Sequence, residues 1–379
     1  MKIESDRLFS PMATDEKAKK NLAILNYIKG SGPVSLRELL DFTEMNSASL
    51  FSYLENYAGK ALIAGAGTPA IGDENKKSVE LNNKNNRVIG LDVGDSVIRA
   101  VITDLNLNVS GKGTRDARGM MKEAAASEAV RLLSGVIREA GMSNTDVKAV
   151  GIGVPNNNSE ALQELISKEL GLASFAGTDA ACAAFGEKAM NKDEKAENML
   201  FIYSGAGCGI VVKDDIYFGA AGNAGGIRVA DDKSDSRYLR PWGREMGMAE
   251  MARKEASKGI GTKLVELAGW NIDDITDDTV VAAAQAKDDV ALDIVGYAAR
   301  NLGVRIAYLV NLFNPEVVFI GGGIEKAGEL ILQPIRETVV KLAFAGSAGM
   351  VRILPSALGI DAVTLGAASL AVRELFIRA

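Results

Sequence analysis

Histidine is absent from all 379 residues. That absence removes the usual general base near neutral pH, the usual pH switch and the commonest metal ligand. Cysteine is nearly absent too. Cys182 and Cys208 stand alone, so a Cys/His zinc site, which needs three or four ligands, is excluded. Two isolated thiols fit small core residues in a reducing compartment. No apolar run approaches the ~20 residues of a membrane helix, and residues 1–7 carry mixed charge without the apolar stretch of a signal peptide. A cytoplasmic chain with no membrane partner is expected. Catalysis, if any, has to rest on carboxylates, hydroxyls, lysines or backbone donors.

What is present is ordinary for a globular protein, 47% hydrophobic and 24% charged, and long enough for two or three folding units. Charge is uneven. Residues 1–87 hold 12 Lys/Arg against 11 Asp/Glu, and the remainder holds 31 against 38. An anion-tolerant front thus precedes an acidic body, a weaker bias than that of an obvious nucleic-acid binder.

In the front, Leu22, Ile24, Leu25 and Ile28 recur at helical spacing until Gly30-Ser31-Gly32-Pro33 stops them. Ser35-Leu36-Arg37-Glu38 reads as a capping box, with Leu36, Leu39 and Leu40 as the buried face of a second helix. Asn46-Ser47 caps a third helix reaching about Ala58, lined inside by Leu50, Tyr53, Leu54 and Tyr57. Residues 60–64 and 78–81 read as two strands of a wing. Three helices and a wing over 1–86 predict a winged helix-turn-helix, whose third helix enters the major groove of DNA. Asn46, Ser47, Ala48, Ser49 and Ser52 are its candidate base-facing residues. Arg37, with Lys17, Lys19 and Lys20, is placed to meet phosphates. A helical module used only for dimerisation has the same pattern, because residues 46–58 carry no Lys or Arg.

The body repeats one grammar: strand, glycine turn, then strand or helix. Arg87-Val88-Ile89-Gly90-Leu91-Asp92-Val93-Gly94-Asp95-Ser96 leads into a strand over 97–103. Gly151-Ile152-Gly153-Val154-Pro155 ends a strand over 147–154. Ser204-Gly205-Ala206-Gly207-Cys208-Gly209 follows a strand over 199–203, and Gly321-Gly322-Gly323 follows one over 317–320. Each alone is a tight turn; the ordered set predicts two related α/β lobes facing a cleft. Glycines at such turns let backbone approach a ligand closely.

Several stretches resemble the ROK family of repressors and sugar kinases. They are Asn311-Leu312-Phe313-Asn314-Pro315-Glu316-Val317-Val318-Phe319-Ile320-Gly321-Gly322-Gly323, Leu358-Gly359-Ile360-Asp361-Ala362-Val363-Thr364-Leu365-Gly366-Ala367-Ala368, Thr178-Asp179-Ala180-Ala181-Cys182-Ala183-Ala184-Phe185-Gly186-Glu187, and the Gly67-Thr68-Pro69 before the first strand of the body. The resemblance covers nearly the whole chain. It implies an α/β body with the two-lobed actin/hexokinase-like ATPase fold (ribonuclease H-like repeats) over 87–379. Lobe one would span about 87–190 plus 362–379, and lobe two about 191–361.

Departures from the family pattern fall at functional positions. The first phosphate loop carries Asp95-Ser96 in place of Gly-Thr, which adds negative charge where a triphosphate would sit. The second carries Ala206 in place of a threonine. At the sugar site, Gly226 and Val229 replace a glutamate and a zinc-binding histidine. The cysteine knuckle gives way to Arg240-Pro241-Trp242-Gly243-Arg244-Glu245-Met246-Gly247-Met248-Ala249-Glu250. Arg240, Trp242 and Met248 are candidates to fill that space by packing. Asp179 remains where family kinases place a general base, and it is equally a helix cap. The resemblance therefore implies ligand contacts at Thr178, Asp179, Arg228 and Glu250. It implies a vestigial nucleotide site at Asp92, Gly94, Ser96, Gly205, Gly207, Gly322 and Gly323, with no metal and no zinc cofactor. The expected protein is a transcriptional regulator, a homodimer or homotetramer on a DNA operator, answering to a sugar or sugar phosphate and lacking kinase activity. An ATP-dependent sugar kinase using Mg-ATP with Asp179 as base, and a scaffold with dead ligand sites, stand as alternatives.

Overall fold

The computed structural model describes residues 9–10, 15–65, 78–94, 96–155, 159–191, 195–203, 207–226 and 247–379. They divide into two compact units, Met1–Gly186 with Phe218–Asn223 and Val363–Ala379, and Glu187–Tyr217 with Ala224–Ala362.

The first unit opens with three helices. Helix α1 (Glu16–Ser31) starts on Asp15, whose carboxylate accepts from Ala18 N, and ends at Gly32 with φ +76°. Helix α2 (Leu36–Thr43) carries the expected capping box, Ser35 and Glu38 bonding reciprocally. Helix α3 (Ser47–Gly59) is capped by Asn46. Strands β1 (Val34–Ser35), β2 (Ile63–Ala64) and β3 (Ser78–Leu81) form an antiparallel sheet in the order β1-β3-β2. Two strands were expected there. The two-residue β1 gives no period-2 pattern to read, and Ser35 doubles as strand end and helix cap. The strand expected over 60–64 shrinks to Ile63–Ala64. The N–H groups of Lys60, Ala61 and Leu62 are spent on carbonyls at the end of α3, with Ala61 left-handed at φ +57°. The Gly67-Thr68-Pro69 tip lies outside the described residues.

Strands β4 (Arg87–Val93), β5 (Val97–Asp104), β6 (Val109–Asp116), β7 (Val147–Val154) and β8 (Ser174–Thr178) make a five-stranded sheet ordered β6-β5-β4-β7-β8. Strands β4, β5 and β6 are antiparallel; β4, β7 and β8 are parallel. Strands β4 and β7 are buried along almost their whole length, the pattern of strands covered on both faces. Helices α4 (Lys122–Glu139) and α5 (Glu160–Leu170) contribute Val130, Leu133, Val136, Leu162 and Ile166 to one face. Helix α13 (Ala362–Ile377) covers the other so closely that a Cβ on Gly90 or Gly151 would lie 1.8 or 1.9 Å from the carbonyl oxygen of Thr364 or Ala367. Strand β6, at the edge, is exposed and polar, as edge strands generally are.

The second unit repeats this topology. Strands β9 (Met199–Tyr203), β10 (Gly207–Val212), β11 (Asp215–Ile216), β12 (Val317–Gly321) and β13 (Arg352–Pro355) are ordered β11-β10-β9-β12-β13. Strands β9, β10 and β11 are antiparallel; β9, β12 and β13 are parallel. Helix α7 (Met248–Ala256), α8 (Lys263–Leu267), α9 (Asp277–Gln285) and the 25-residue α10 (Asp289–Phe313) separate β11 from β12. Helices α11 (Glu329–Leu342) and α12 (Ala345–Met350) separate β12 from β13. Helix α10 ends on left-handed Asn314 before Pro315. Met248 is buried in this unit's core; Arg240 and Trp242, the other candidates to fill the knuckle space, fall outside the described residues. Both cysteines are free and buried.

Candidate ligand site and candidate nucleic-acid interface

In open α/β sheets, ligands bind beyond the carboxyl ends of the parallel strands. Three such ends converge in the first unit. Strand β4 delivers Asp92, β7 delivers Gly153 and Val154, and β8 delivers Thr178, after which helix α6 (Asp179–Met190) begins at once. Gly153 is packed against the start of α6: a Cβ there would lie 3.4 Å from Cys182 Sγ and 3.6 Å from Asp179 Cα. The backbone N–H of Gly94 bonds Val97 O at 3.1 Å, closing the hairpin that holds Asp92 in place. Ser96, after that turn, is exposed.

Asp92 is almost completely buried and pairs with Arg99 on β5, Nη1 to Oδ2 at 3.3 Å. Burial pushes its carboxyl up to about 7; the Arg99 guanidinium opposes this and nearby Asp179 adds to it. Sequence reasoning missed Arg99. The visible signal was its register, since residues directly opposite in an antiparallel pair face the same side and Asp92 pairs with Arg99. A buried carboxyl that keeps its proton up to about pH 7, and whose Oδ2 faces the Arg99 guanidinium, is a poor ligand for hydrated magnesium, which needs free carboxylate oxygens. The residues present at β4 do not fit that group.

Thr178, not Asp179, caps α6. Its hydroxyl accepts from Ala181 N at 3.2 Å. Asp179 occupies the first helical position, half-buried, with Oδ1 accepting from Ala180 N at 2.7 Å. The cap reading of Asp179 is therefore corrected by one residue: the threonine's extended backbone directs its hydroxyl to the third N–H of the turn. Asp179 stands at the positive end of the α6 dipole, where a carboxylate is favoured. The Cys182 thiol, behind it, is pushed well above its ordinary pKa by burial and then by Asp179 and Asp92. Asp92, Asp179, Thr178 and Gly94 are thus brought together in the first unit.

Other expected site residues lie in the second unit. Glu250 is exposed in the first turn of α7. Gly207 begins β10. Gly322 and Gly323 adopt φ +83° and +104° after β12, as only glycine does readily. Arg228, Gly205, Ala206, Val229 and Asp95 lie outside the described residues.

On the outer face of α3, Ala48 and Ser52 are exposed and Ser47 and Ser49 partly so. Asn46 spends its side-chain oxygen on Ser49 N at 2.8 Å, leaving its amide nitrogen for other work. Arg37 pairs with Asp41 across one turn at 3.5 Å, and Lys19 with Glu16 at 3.2 Å, both exposed. Such pairs are weak and yield readily to a phosphate.

Two anchors that the sequence reading passed over tie this module to α13. Fully buried Asn21 donates to Ala379 O at 3.0 Å and accepts from Tyr57 Oη at 2.8 Å. Ahead of α1, the Phe9 ring stacks between Phe175 and Phe218 beside Gly177. Ser10 hydrogen-bonds buried Glu374 through its hydroxyl at 2.8 Å, and Arg373 donates to Ser10 O at 3.0 Å. Phe9 thereby rests on β8, the strand that ends in Thr178. Neither anchor was legible, because a lone polar residue on a helix and a lone phenylalanine before it announce no partner.

A winged helix joined to a body built of two topologically matched α/β lobes defines the class: a regulator-like chain on the actin/hexokinase-like kinase fold. Residues 88–374 match the ROK family, and the chain belongs to that family. A xylose repressor from Caldicellulosiruptor bescii is 22% identical, with 95% of this chain and 96% of that one aligned. A glucokinase from Halalkalibacterium halodurans is 27% identical over 73% of this chain and 92% of its own. Among solved structures, a ROK family transcriptional regulator described as a homologue of the E. coli MLC protein superposes with a TM-score of 0.76 at 20% identity, covering 95% of this chain and 97% of that one. A Streptomyces griseus ROK glucokinase in complex with glucose and AMPPNP gives 0.65 at 23% identity, over 75% and 99%.

Proposed function

We propose that the protein is a DNA-binding transcriptional repressor of the ROK type, responsive to a sugar or sugar phosphate, that has given up phosphoryl transfer. The observation that carries this is the winged helix over the first 86 residues, docked on α13 through Asn21 and exposing the outer face of α3. The repressor relative aligns across that module as well as the body, whereas the glucokinase relative leaves about a quarter of the chain unmatched. Asp179 and Thr178 are assigned to a sugar hydroxyl, with Arg228 and Glu250 as further contacts. Without a histidine, Asp179 is the group left to remove a hydroxyl proton, and the buried Asp92, its carboxyl raised by desolvation and facing Arg99, argues against holding magnesium and a triphosphate beside it.

Helix α13 supplies the route from ligand to DNA. It packs directly on β4 and β7, whose carboxyl ends carry Asp92 and Gly153, and it holds α1 and the segment ahead of it. A ligand that prefers one arrangement of these strand ends shifts the module by that differential affinity and no more. The protein is expected to act in the cytoplasm; among described residues no helix is long and apolar enough to cross a membrane. A gel shift on the DNA upstream of its own coding region tests the reading. Specific binding that weakens steeply with salt is expected; equal binding to scrambled DNA contradicts it.

A further inference from the structure

The second unit holds a cavity of about 680 Å³ that contains none of the residues assigned so far to DNA or to a ligand. Its wall runs from the end of α7 through the loop over 257–262 to α8, and it closes on the first turn of α10. Every residue lining it belongs to this unit. Buried Asp288 fixes its shape. Both carboxylate oxygens accept from the Thr262 hydroxyl at 3.0 Å, Oδ2 accepts from Lys263 N at 2.8 Å and Oδ1 from Ala291 N at 2.9 Å. The loop is thereby tied to α10, and the cavity is preformed.

Two helix ends present unusual residues to this cavity. Helix α8 unwinds through Gly269 into Trp270 at φ +69°, with Trp270 N donating to Val265 O at 2.8 Å. Helix α9 ends on Lys287 at φ +60°, with Lys287 N donating to Ala284 O at 2.9 Å. Glycine is the ordinary residue for that left-handed conformation, and a bulky side chain there is an outlier. Such strain gathers at ligand sites. Trp270 is also 78% exposed, although an indole gains much from burial. We propose that this cavity is a second ligand site, taking a neutral saccharide whose C–H face lies on the Trp270 ring. Its volume falls within the roughly 300–1,000 Å³ of small-molecule sites. The charge selects the class. Lys263 Nζ is engaged by Ala286 O at 2.6 Å, and the exposed Glu266, Lys287 and Asp289 share the lining with the indole. Carboxylates accept and an ammonium donates, and a sugar hydroxyl answers both. An anion such as a sugar phosphate meets Glu266 and Asp289, and a cation meets Lys287, so a ligand of either single charge is opposed.

The inference rests neither on DNA binding nor on the Asp179 site, so it is tested in Asp179→Ala protein without DNA. Isothermal titration is run with D-xylose, D-glucose, maltose and cellobiose, and with choline and glucose 6-phosphate as charged probes. At least one neutral saccharide should bind saturably. Trp270→Ala should weaken that binding roughly tenfold or more, and Trp270→Phe less, because a phenyl ring still offers a flat face. Glu266→Gln should weaken it while the melting temperature stays put, since both side chains are exposed. In the wild-type chain the Trp270-dependent step should be present whether or not Asp179 holds sugar. Saturable binding by none of the four saccharides overturns the proposal. So does binding of choline or glucose 6-phosphate alone, or a saccharide affinity unchanged in Trp270→Ala.

Discussion

The two lobes share one strand order and one pattern of parallel and antiparallel pairs, yet their strand ends are chemically unlike. In lobe one, β4 and β8 end in charge: Asp92 against Arg99, and Asp179 at the head of α6. In lobe two, the matching turn after β13 runs through Ser356, whose hydroxyl donates to the buried Glu187 carboxylate, with Leu358 N donating to the same oxygen at 3.1 Å. Glu187 is used there as a staple, and its other oxygen, Oε2, has no hydrogen-bond partner among the described residues. Topology explains why both lobes exist; the residues at the strand ends decide what each does. Lobe one keeps groups able to meet a polar ligand and anchors the winged helix. Lobe two keeps the glycine turn at Gly322 and Gly323.

The largest expected effect separates the lobes by what their strand glycines meet, a helix backbone in lobe one and a side chain of the neighbouring strand in lobe two. Gly151→Ala places a Cβ 1.9 Å from a backbone carbonyl, whereas Gly321→Ala meets the Phe201 ring at 2.4 Å. A ring can turn aside more cheaply than a helix backbone. Gly151→Ala should cost more than about 3 kcal/mol, and Gly321→Ala about 1–3 kcal/mol, by urea melts. Equal losses would erase the distinction.

Next comes the charge of lobe one. Asp92 titrates near 7 in the fold, above its ordinary value of 3.8. The native state then holds a proton that the unfolded chain releases, so stability falls as pH rises from about 4 to about 7 and levels off above. Asp92→Asn removes that slope. Its stability relative to wild type should rise across this window, by an amount on the order of 4 kcal/mol. A difference independent of pH would refute the buried, raised carboxyl.

Asn21→Ala removes the hinge of the module on α13 and leaves the Tyr57 hydroxyl buried without an acceptor, a loss of about 1–3 kcal/mol. Hydrogen exchange should quicken in α1 and α3 and stay unchanged in lobe two. Spread of the effect into β9–β13 would mean that the two units fold as one.

The smallest effect compares the thiols. Burial drives Cys182 and Cys208 up, the latter to about 12. Neither should react with a thiol reagent at pH 8 until the protein unfolds. Prompt labelling of Cys182 alone would show the Asp179 site open to its floor.

These contrasts also show what a sequence can carry. The helices of the winged module were legible because capping residues, apolar spacing and a glycine stop agree at Ser35, Asn46 and Gly32, whereas the Asp15 cap of α1 appears only in the structure. The body's glycine-ended strands were legible because burial on both faces leaves near-continuous apolar runs, as in β4 and β7. Strand β6 was not, since an edge strand reading Val-Ser-Gly-Lys-Gly-Thr-Arg-Asp has neither apolar alternation nor a buried run. Of the site, Asp92 and Thr178-Asp179 were readable from motif order. Arg99 and the Glu374–Ser10 anchor required partners 7 and 364 residues away, a distance over which local pattern says nothing.

The central claim is that a kinase-like body now governs DNA binding instead of phosphorylating sugar. It is tested most directly in one titration: labelled upstream DNA followed by fluorescence anisotropy in the presence of ATP, with a panel including D-xylose and D-glucose added and ADP measured in the same tube. The account predicts specific binding that one sugar releases, no such release in Asp179→Ala, and no ADP above background. Sugar-dependent ADP formation lost in Asp179→Asn, or DNA binding indifferent to sequence, would contradict it.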